Sequence, residues 1–310
     1  MMKALRICDL HKSYGDTEVL KGVSLNVDQG EMYALMGPNG SGKTTLTSII
    51  ACTNEATSGV VEVFGLDSLK DTKKVKEVIG YVPQEKFSSP LMTGEENLLY
   101  FIRLQGVSKQ EAQKISKELL QRMDLTRDAN KRVSQYSGGM RKKLEVATAL
   151  LPGVRLLILD EPTTGLDPST RKKFLLKIQE IRNEGVTVFF VTHIGEDAEI
   201  ASKAGLIDKG LLIIEEKPEI LRKKTGLFHI ISLETSTKNE LVYKTLENTI
   251  NNGKLVETNK GYKFYCKEPE EIIEVMIRNL GHIGCKTTRI ETTVPSLEDV
   301  FFKLTEKKLR

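Results

Sequence analysis

Met32-Tyr33-Ala34-Leu35-Met36-Gly37-Pro38-Asn39-Gly40-Ser41-Gly42-Lys43-Thr44-Thr45 is the stretch on which the fold turns. Five apolar residues form a short buried strand that stops at Gly37, and a helical pattern runs from Thr44 to about Cys52. Between them, glycines let the backbone curl around an anion with its N–H groups pointing inward. Lys43 adds a positive charge suited to the β- and γ-phosphates of a nucleotide, and the Thr44 hydroxyl suits Mg²⁺. The strand before the loop and the helix after it are the setting that a phosphate loop requires.

Downstream, Leu156-Leu157-Ile158-Leu159-Asp160-Glu161-Pro162 reads as a strand of continuous aliphatics. Its carboxylates therefore emerge at the carboxyl edge of a buried parallel sheet, where ligands bind. Asp160 suits Mg²⁺, and Glu161 is placed to orient and deprotonate a water at the γ-phosphorus. Strand patterns at 155–160 and 186–191 with a helix at 168–184 make a βαβ unit, hence parallel strands. Strands at 3–9 and 18–27, joined by a turn at Tyr14-Gly15-Asp16, predict an antiparallel layer. Further strands are expected at Val60 to Phe64 and Ile79 to Val82, with a basic surface helix between them, and a hairpin at Leu206 to Ile214 through Lys209-Gly210.

After Pro83-Gln84 the pattern becomes helical, with helices at 94–105 and 108–123 and a third from Ser137 to near Leu151. That is an all-helical insertion, about 88–150, inside one α/β domain that spans 1–222. Residues 223–310 read as a second, small α+β domain. Its expected order is strand 227–234, helix 238–251, strand 254–258, strand 262–267, helix 269–280 and strand 285–293, the βαββαβ of a ferredoxin-like fold. A last helix starts at Pro295-Ser296-Leu297-Glu298-Asp299, with Ser296 as its cap.

With 28% charged and 39% hydrophobic residues, the composition is that of a soluble globular chain. No apolar run approaches the roughly 20 residues that span a bilayer, and the N-terminus lacks a signal-peptide core. The protein is thus expected on the cytoplasmic side, peripheral at the cell membrane through a partner. Cys8, Cys52, Cys266 and Cys285 have no metal-ligand spacing and read as reduced, mostly buried small hydrophobes. A net charge of +4 is too weak to argue for nucleic acid, and no direct nucleic-acid partner is expected.

The phosphate loop, the acidic strand and Tyr136-Ser137-Gly138-Gly139-Met140 between them together resemble the nucleotide-binding domain of ATP-binding cassette transporters, over about residues 3–222. The resemblance implies a P-loop NTPase (RecA-like) core that binds and hydrolyses ATP with Mg²⁺. ATP would be held by Gly37, Pro38, Asn39, Gly40, Ser41, Gly42, Lys43, Thr44 and Thr45, with Mg²⁺ at Thr44, Gln84 and Asp160. Tyr14 matches the aromatic that stacks on adenine. Ser137, Gly138 and Gly139 match the signature that contacts ATP on the opposite subunit, and Asp167 matches the loop that crosses that interface. Glu161, His193 and Gln84 match the catalytic base, the switch histidine and the glutamine at the water. His11, His229 and His282 have no such context. Such a chain works as a head-to-tail pair, a homodimer or a heterodimer with a related subunit.

Ser-Gly-Gly-Met followed by basic residues, with the C-terminal Pro295 to Phe301, is similar to the daunorubicin-resistance-type exporter branch. That branch implies a separate integral-membrane permease, with Phe87 to Leu98 forming part of the groove for one of its helices. The alternative is a soluble cassette protein acting on DNA or ribosomes. It would carry a long coiled-coil insertion or two cassettes, and neither is found here.

Overall fold

Two long strands, β1 (Lys3–Tyr14) and β2 (Thr17–Asp28), pair antiparallel through a tight turn at Gly15-Asp16. β3 (Met32–Met36) follows, buried along its whole length, and leads through the glycine loop into α1 (Lys43–Ile50). Then come β4 (Ser58–Val63), β5 (Leu66–Asp67), α2 (Thr72–Val78) and β6 (Ile79–Val82). The helical insertion comprises α3 (Gly94–Leu104), α4 (Lys109–Arg122) and α5 (Gly138–Ala149). The chain returns to the sheet with β7 (Leu156–Asp160), α6 (Pro168–Asn183), β8 (Thr187–Thr192), α7 (Gly195–Ala198), β9 (Lys203–Asp208) and β10 (Leu211–Glu216). This computed structural model describes residues 2–225, 229–250, 255–259, 261–266 and 268–305.

The central sheet runs β10-β9-β3-β8-β7-β6, parallel except for the β10 hairpin at its edge. The hairpin turn places Lys209 and Gly210 both at positive φ, the backbone that matches strand twist. A second sheet, β2-β1-β4-β5, lays Leu5, Ile7, Leu10, Leu20, Val23 and Leu25 into one core with Leu46, Ile49 and Ile50 of α1. Burial of those side chains pins the glycine loop between the two sheets, each contributing about 1.5–3 kcal/mol of transfer free energy. Tyr33, fully buried on β3, stacks on Phe189 of β8 at 5.5 Å and donates its hydroxyl to Glu215.

The chain divides into two units, one through Lys217 and one from Pro218 on. The break precedes the expected boundary after residue 222 because Pro218 opens a helix, α8 (Pro218–Lys224), that packs with the last helix. The second unit continues with β11 (His229–Thr235), α9 (Glu240–Thr249), β12 (Leu255–Glu257), β13 (Gly261–Cys266), α10 (Pro269–His282), β14 (Thr287–Thr293) and α11 (Leu297–Thr305). Residues 227, 228, 251, 254 and 267 of the expected elements lie outside the described residues. The sheet is antiparallel in the order β12-β13-β11-β14, with Ile231, Leu233, Tyr262 and Phe264 packed on Val242, Leu246, Met276 and Leu280 of α9 and α10. Ser296 Oγ accepts from Asp299 N at 3.3 Å while Asp299 accepts from Ser296 N at 2.8 Å, a reciprocal cap. Cys285 is buried, whereas Cys8, Cys52 and Cys266 are only half-buried.

Gly80 of β6 passes so close to the end of α5 that an added Cβ would lie 2.0 Å from the Ala149 carbonyl oxygen. Gly80→Ala is expected to lower the unfolding free energy by about 2 kcal/mol in urea denaturation, the usual cost of overpacking. A loss below about 0.5 kcal/mol would show that α5 yields at no cost.

Candidate active site

Three adjacent parallel strands end side by side. Met36 of β3 pairs with Thr192 of β8, and Val191 of β8 pairs with Asp160 of β7. Gly37, His193 and Glu161 therefore leave the same edge of the sheet on neighbouring strands. Gln84 leaves that edge as well, beyond β6, where Val82 pairs with Leu159.

The loop after β3 is held from behind as well as shaped from within. An added Cβ on Gly37 would lie 2.2 Å from the Ile207 carbonyl, and one on Gly42 2.7 Å from Leu20 Cδ2. Gly42 also takes φ 103°, which a side chain would resist. Gly210 N donates to the Ser41 carbonyl at 3.1 Å, so the β9–β10 turn braces the loop. Pro38, Asn39 and Gly40 form the outward part, with Asn39 and Gly40 exposed, while Ser41 and Lys43 are buried. Thr44 is exposed and Thr45 half-buried on the first turn of α1.

Lys43 Nζ donates to the carbonyls of Gly37 at 2.9 Å and Pro38 at 3.0 Å, and lies 3.4 Å from Glu161 Oε1. Burial lowers the Lys43 pKa from its usual value, and the neighbouring Glu161 opposes that shift. Glu161 stands at φ 50°, a left-handed conformation costing about 1–3 kcal/mol in a non-glycine residue. The turn is held by Glu161 N donating to Val191 O at 3.0 Å. Its Oε2 accepts from Thr164 Oγ1 at 2.9 Å and meets His193 Nδ1 in a short hydrogen bond.

Asp160 is fully buried. Its Oδ2 accepts from Thr47 Oγ1 at 3.1 Å, whereas Oδ1 has no hydrogen-bond partner. Burial raises its pKa, with the Thr44 and Thr47 hydroxyls opposing. A buried carboxylate oxygen with no partner next to a hydroxyl is a hard-oxygen donor set that fits Mg²⁺.

Other expected site residues stand on other elements, and the contacts of this cluster do not include them. Tyr14 is exposed at the β1–β2 turn, with Lys12 Nζ 4.8 Å from its ring centre. Gln84 is exposed. Ser137 caps α5, accepting from Met140 N at 3.3 Å, and Gly138 beside it is exposed. Gly139 is buried, and a Cβ there would lie 2.4 Å from Thr170 Cγ2 of α6. Asp167 caps α6, accepting from Ser169 N and Thr170 N at 3.1 Å each. The Thr170 hydroxyl, with the backbone N–H groups of Thr170 and Ser169, holds its pKa below the usual carboxylate value.

With this geometry in place, the comparisons decide the family. The ABC transporter family profile matches residues 20–164. The linearmycin resistance ATP-binding protein LnrL of Bacillus subtilis is 31% identical over 97% of this chain and 98% of its own length. The chain belongs to the ATP-binding cassette transporter family. Within it, this ABC subunit is an ATPase that resembles the drug-resistance branch. The daunorubicin resistance ATP-binding protein DrrA3 of Streptomyces coeruleorubidus is 32% identical over 97% of this chain and 96% of its own length. The dimeric post-hydrolysis structure of the cassette MJ0796 bound to ADP and Pi matches with TM-score 0.61 at 31% identity, over 69% of this chain and 98% of that one.

Two groups of buried polar residues are closed by long-range contacts that the local sequence does not announce. Asp197 of α7, fully buried, accepts hydrogen bonds from Thr163 and Thr192. Glu145 of α5, also fully buried, accepts from Ser88 Oγ at 3.0 Å and lies 3.5 Å from Arg141 Nε and 3.8 Å from Lys142 Nζ. Arg141 also donates to Ser88 Oγ at 2.9 Å and to its carbonyl at 2.7 Å. The segment after Gln84 is thereby tied to the helix that Ser137 caps. Glu145→Ala would leave two cations short of their counter-charge and is expected to cost about 3 kcal/mol of stability by chemical denaturation. A cost under about 1 kcal/mol would mean that water takes over the pairing.

Proposed function

We propose that two such cassettes, two copies or this chain with a related one, sandwich two ATP molecules head to tail and drive export through a separate membrane permease. The observation that carries this is Glu161. It is a buried carboxylate held in a strained turn, 3.4 Å from the Lys43 ammonium and hydrogen-bonded to His193. That placement suits a base that orients and deprotonates a water at the γ-phosphate, with His193 holding the base in position. Lys43 and the loop amides neutralise phosphate charge, and Tyr14 stacks on the adenine. Asp160, Thr44 and Gln84 would hold Mg²⁺, which would supply charge neutralisation for the phosphates.

The second half of each site comes from the opposite cassette. Ser137 and the exposed Gly138 stand at the N-terminus of the twelve-residue helix α5, where amides and dipole favour an anion. Asp167 lies in the loop that crosses the interface. ATP closes the pair, hydrolysis opens it, and the helical insertion passes the movement on. Among the described residues no helix is long and apolar enough to cross a membrane, which fits a peripheral subunit at the cytoplasmic face. Leu91, Tyr100 and Leu104 stand exposed on the insertion, while Phe87 packs edge-on against Phe101. With Phe87 to Leu98, they supply the apolar surface for a permease helix. The drug-resistance names of the two relatives, each matched over nearly its whole length, support that direction.

Glu161→Gln is expected to retain ATP binding, trap an ATP-bound dimer by size-exclusion chromatography and abolish turnover. Turnover at the wild-type rate would overturn the assignment of the base. Tyr100→Asp combined with Leu104→Asp is expected to keep the ATPase of the purified chain but abolish recovery of a detergent-sensitive membrane partner. Undiminished recovery would place the docking surface elsewhere.

A further inference from the structure

We propose that Asp197 is a positioning residue that sets the distance between Glu161 and His193. Thr163 lies two residues beyond Glu161 on the loop after β7, and Thr192 is the last residue of β8, immediately before His193. The two loops leave neighbouring strands, and the backbone bond from Glu161 N to Val191 O at 3.0 Å ties their first residues without reaching Thr163 or His193. Asp197 Oδ2 receives both threonine hydroxyls, from Thr192 at 3.3 Å and from Thr163 in a short hydrogen bond. Thr192 Oγ1 accepts from Ile194 N at 3.0 Å, which fixes the backbone on the far side of His193. On the near side, Thr164 donates to Glu161 itself. One buried carboxylate oxygen thus clamps the bases of both loops, and the Glu161–His193 contact closes the top of the same ring.

The carboxylate is itself held. Its Oδ1 faces Arg171 Nε at 3.8 Å, and Arg171 Nη2 pairs with Glu196 at 2.6 Å. Thr163, Thr192 and Asp197 are all buried, so water cannot easily replace the lost acceptor. Loss of the clamp frees the base relative to the histidine while Lys43 and the glycine loop stay in place. The effect therefore falls on the chemical step and not on nucleotide binding.

The inference rests on Glu161 and His193 as hydrolytic residues, so the test includes Glu161→Gln. Steady-state ATP hydrolysis by the full chain is measured for Asp197→Ala, Asp197→Asn, Thr163→Val and Thr163→Ser. Asp197→Ala and Thr163→Val are expected to lower kcat by about 30- to 100-fold with KM for ATP unchanged. Asp197→Asn, whose amide oxygen accepts both hydroxyls, and Thr163→Ser, which restores the donor, are expected to recover to within about fivefold of wild type. Wild-type kcat in Thr163→Val, or an Asp197→Asn as slow as Asp197→Ala, overturns the clamp, the latter by assigning Asp197's role to its charge on Arg171. If Asp197→Ala does not fold, the Thr163 pair decides alone. If Glu161→Gln hydrolyses at the wild-type rate, the hydrolytic assignment has failed first, and the clamp falls with it.

Discussion

A buried ammonium and a buried carboxylate, Lys43 and Glu161, stand 3.4 Å apart at the carboxyl edge of the central sheet. Both are expensive to desolvate, and each is tolerable only because the other and a set of fixed dipoles surround it. The glycine loop must curl so that Gly37 and Pro38 offer their carbonyls to Lys43, and Glu161 must leave its strand in a left-handed turn to reach it. The two sheets and α1 exist, in mechanical terms, to keep those two backbones still. Phosphate is the ligand such a site suits: an anion would draw the ammonium away from the loop carbonyls and leave the carboxylate free to act on water.

Much of this was legible in the residues because burial on both faces writes itself as continuous apolar runs. Met32–Met36 and Leu156–Leu159 announce central parallel strands, and the glycines between Met36 and Lys43 announce the loop. What the chain hides are the polar residues that serve the core. Asp197 reads as an ordinary acidic residue in a short helix, and Glu145 as one more charge after a basic run. Only the fold shows that Thr163 and Thr192 converge on the first and Ser88 on the second, whose Arg141 and Lys142 partners lie one turn back on the same helix. The bracing of Gly37 by Ile207 and of Ser41 by Gly210 is likewise long-range, and no local pattern encodes it. The division at Pro218, a few residues before the expected one after 222, likewise follows from a long-range contact, the packing of α8 with α11.

The family sets the chemistry, and the buried polar groups show how this chain organises it. Glu145 and Arg141 tie Ser88, in the segment after Gln84, to the helix capped by Ser137. That helix presents its exposed N-terminus outward, where a second cassette's nucleotide would complete the site.

The most direct test of that shared site is complementation between two inactive chains. Lys43→Ala removes the phosphate-binding charge, and Ser137→Arg blocks the helix N-terminus that serves the opposite nucleotide. In a mixed pair, one site carries both lesions and the other carries none. Each variant alone is expected to be inactive, and ATP hydrolysis is expected to return on mixing. Activity that stays at the level of the separate variants would contradict the shared site.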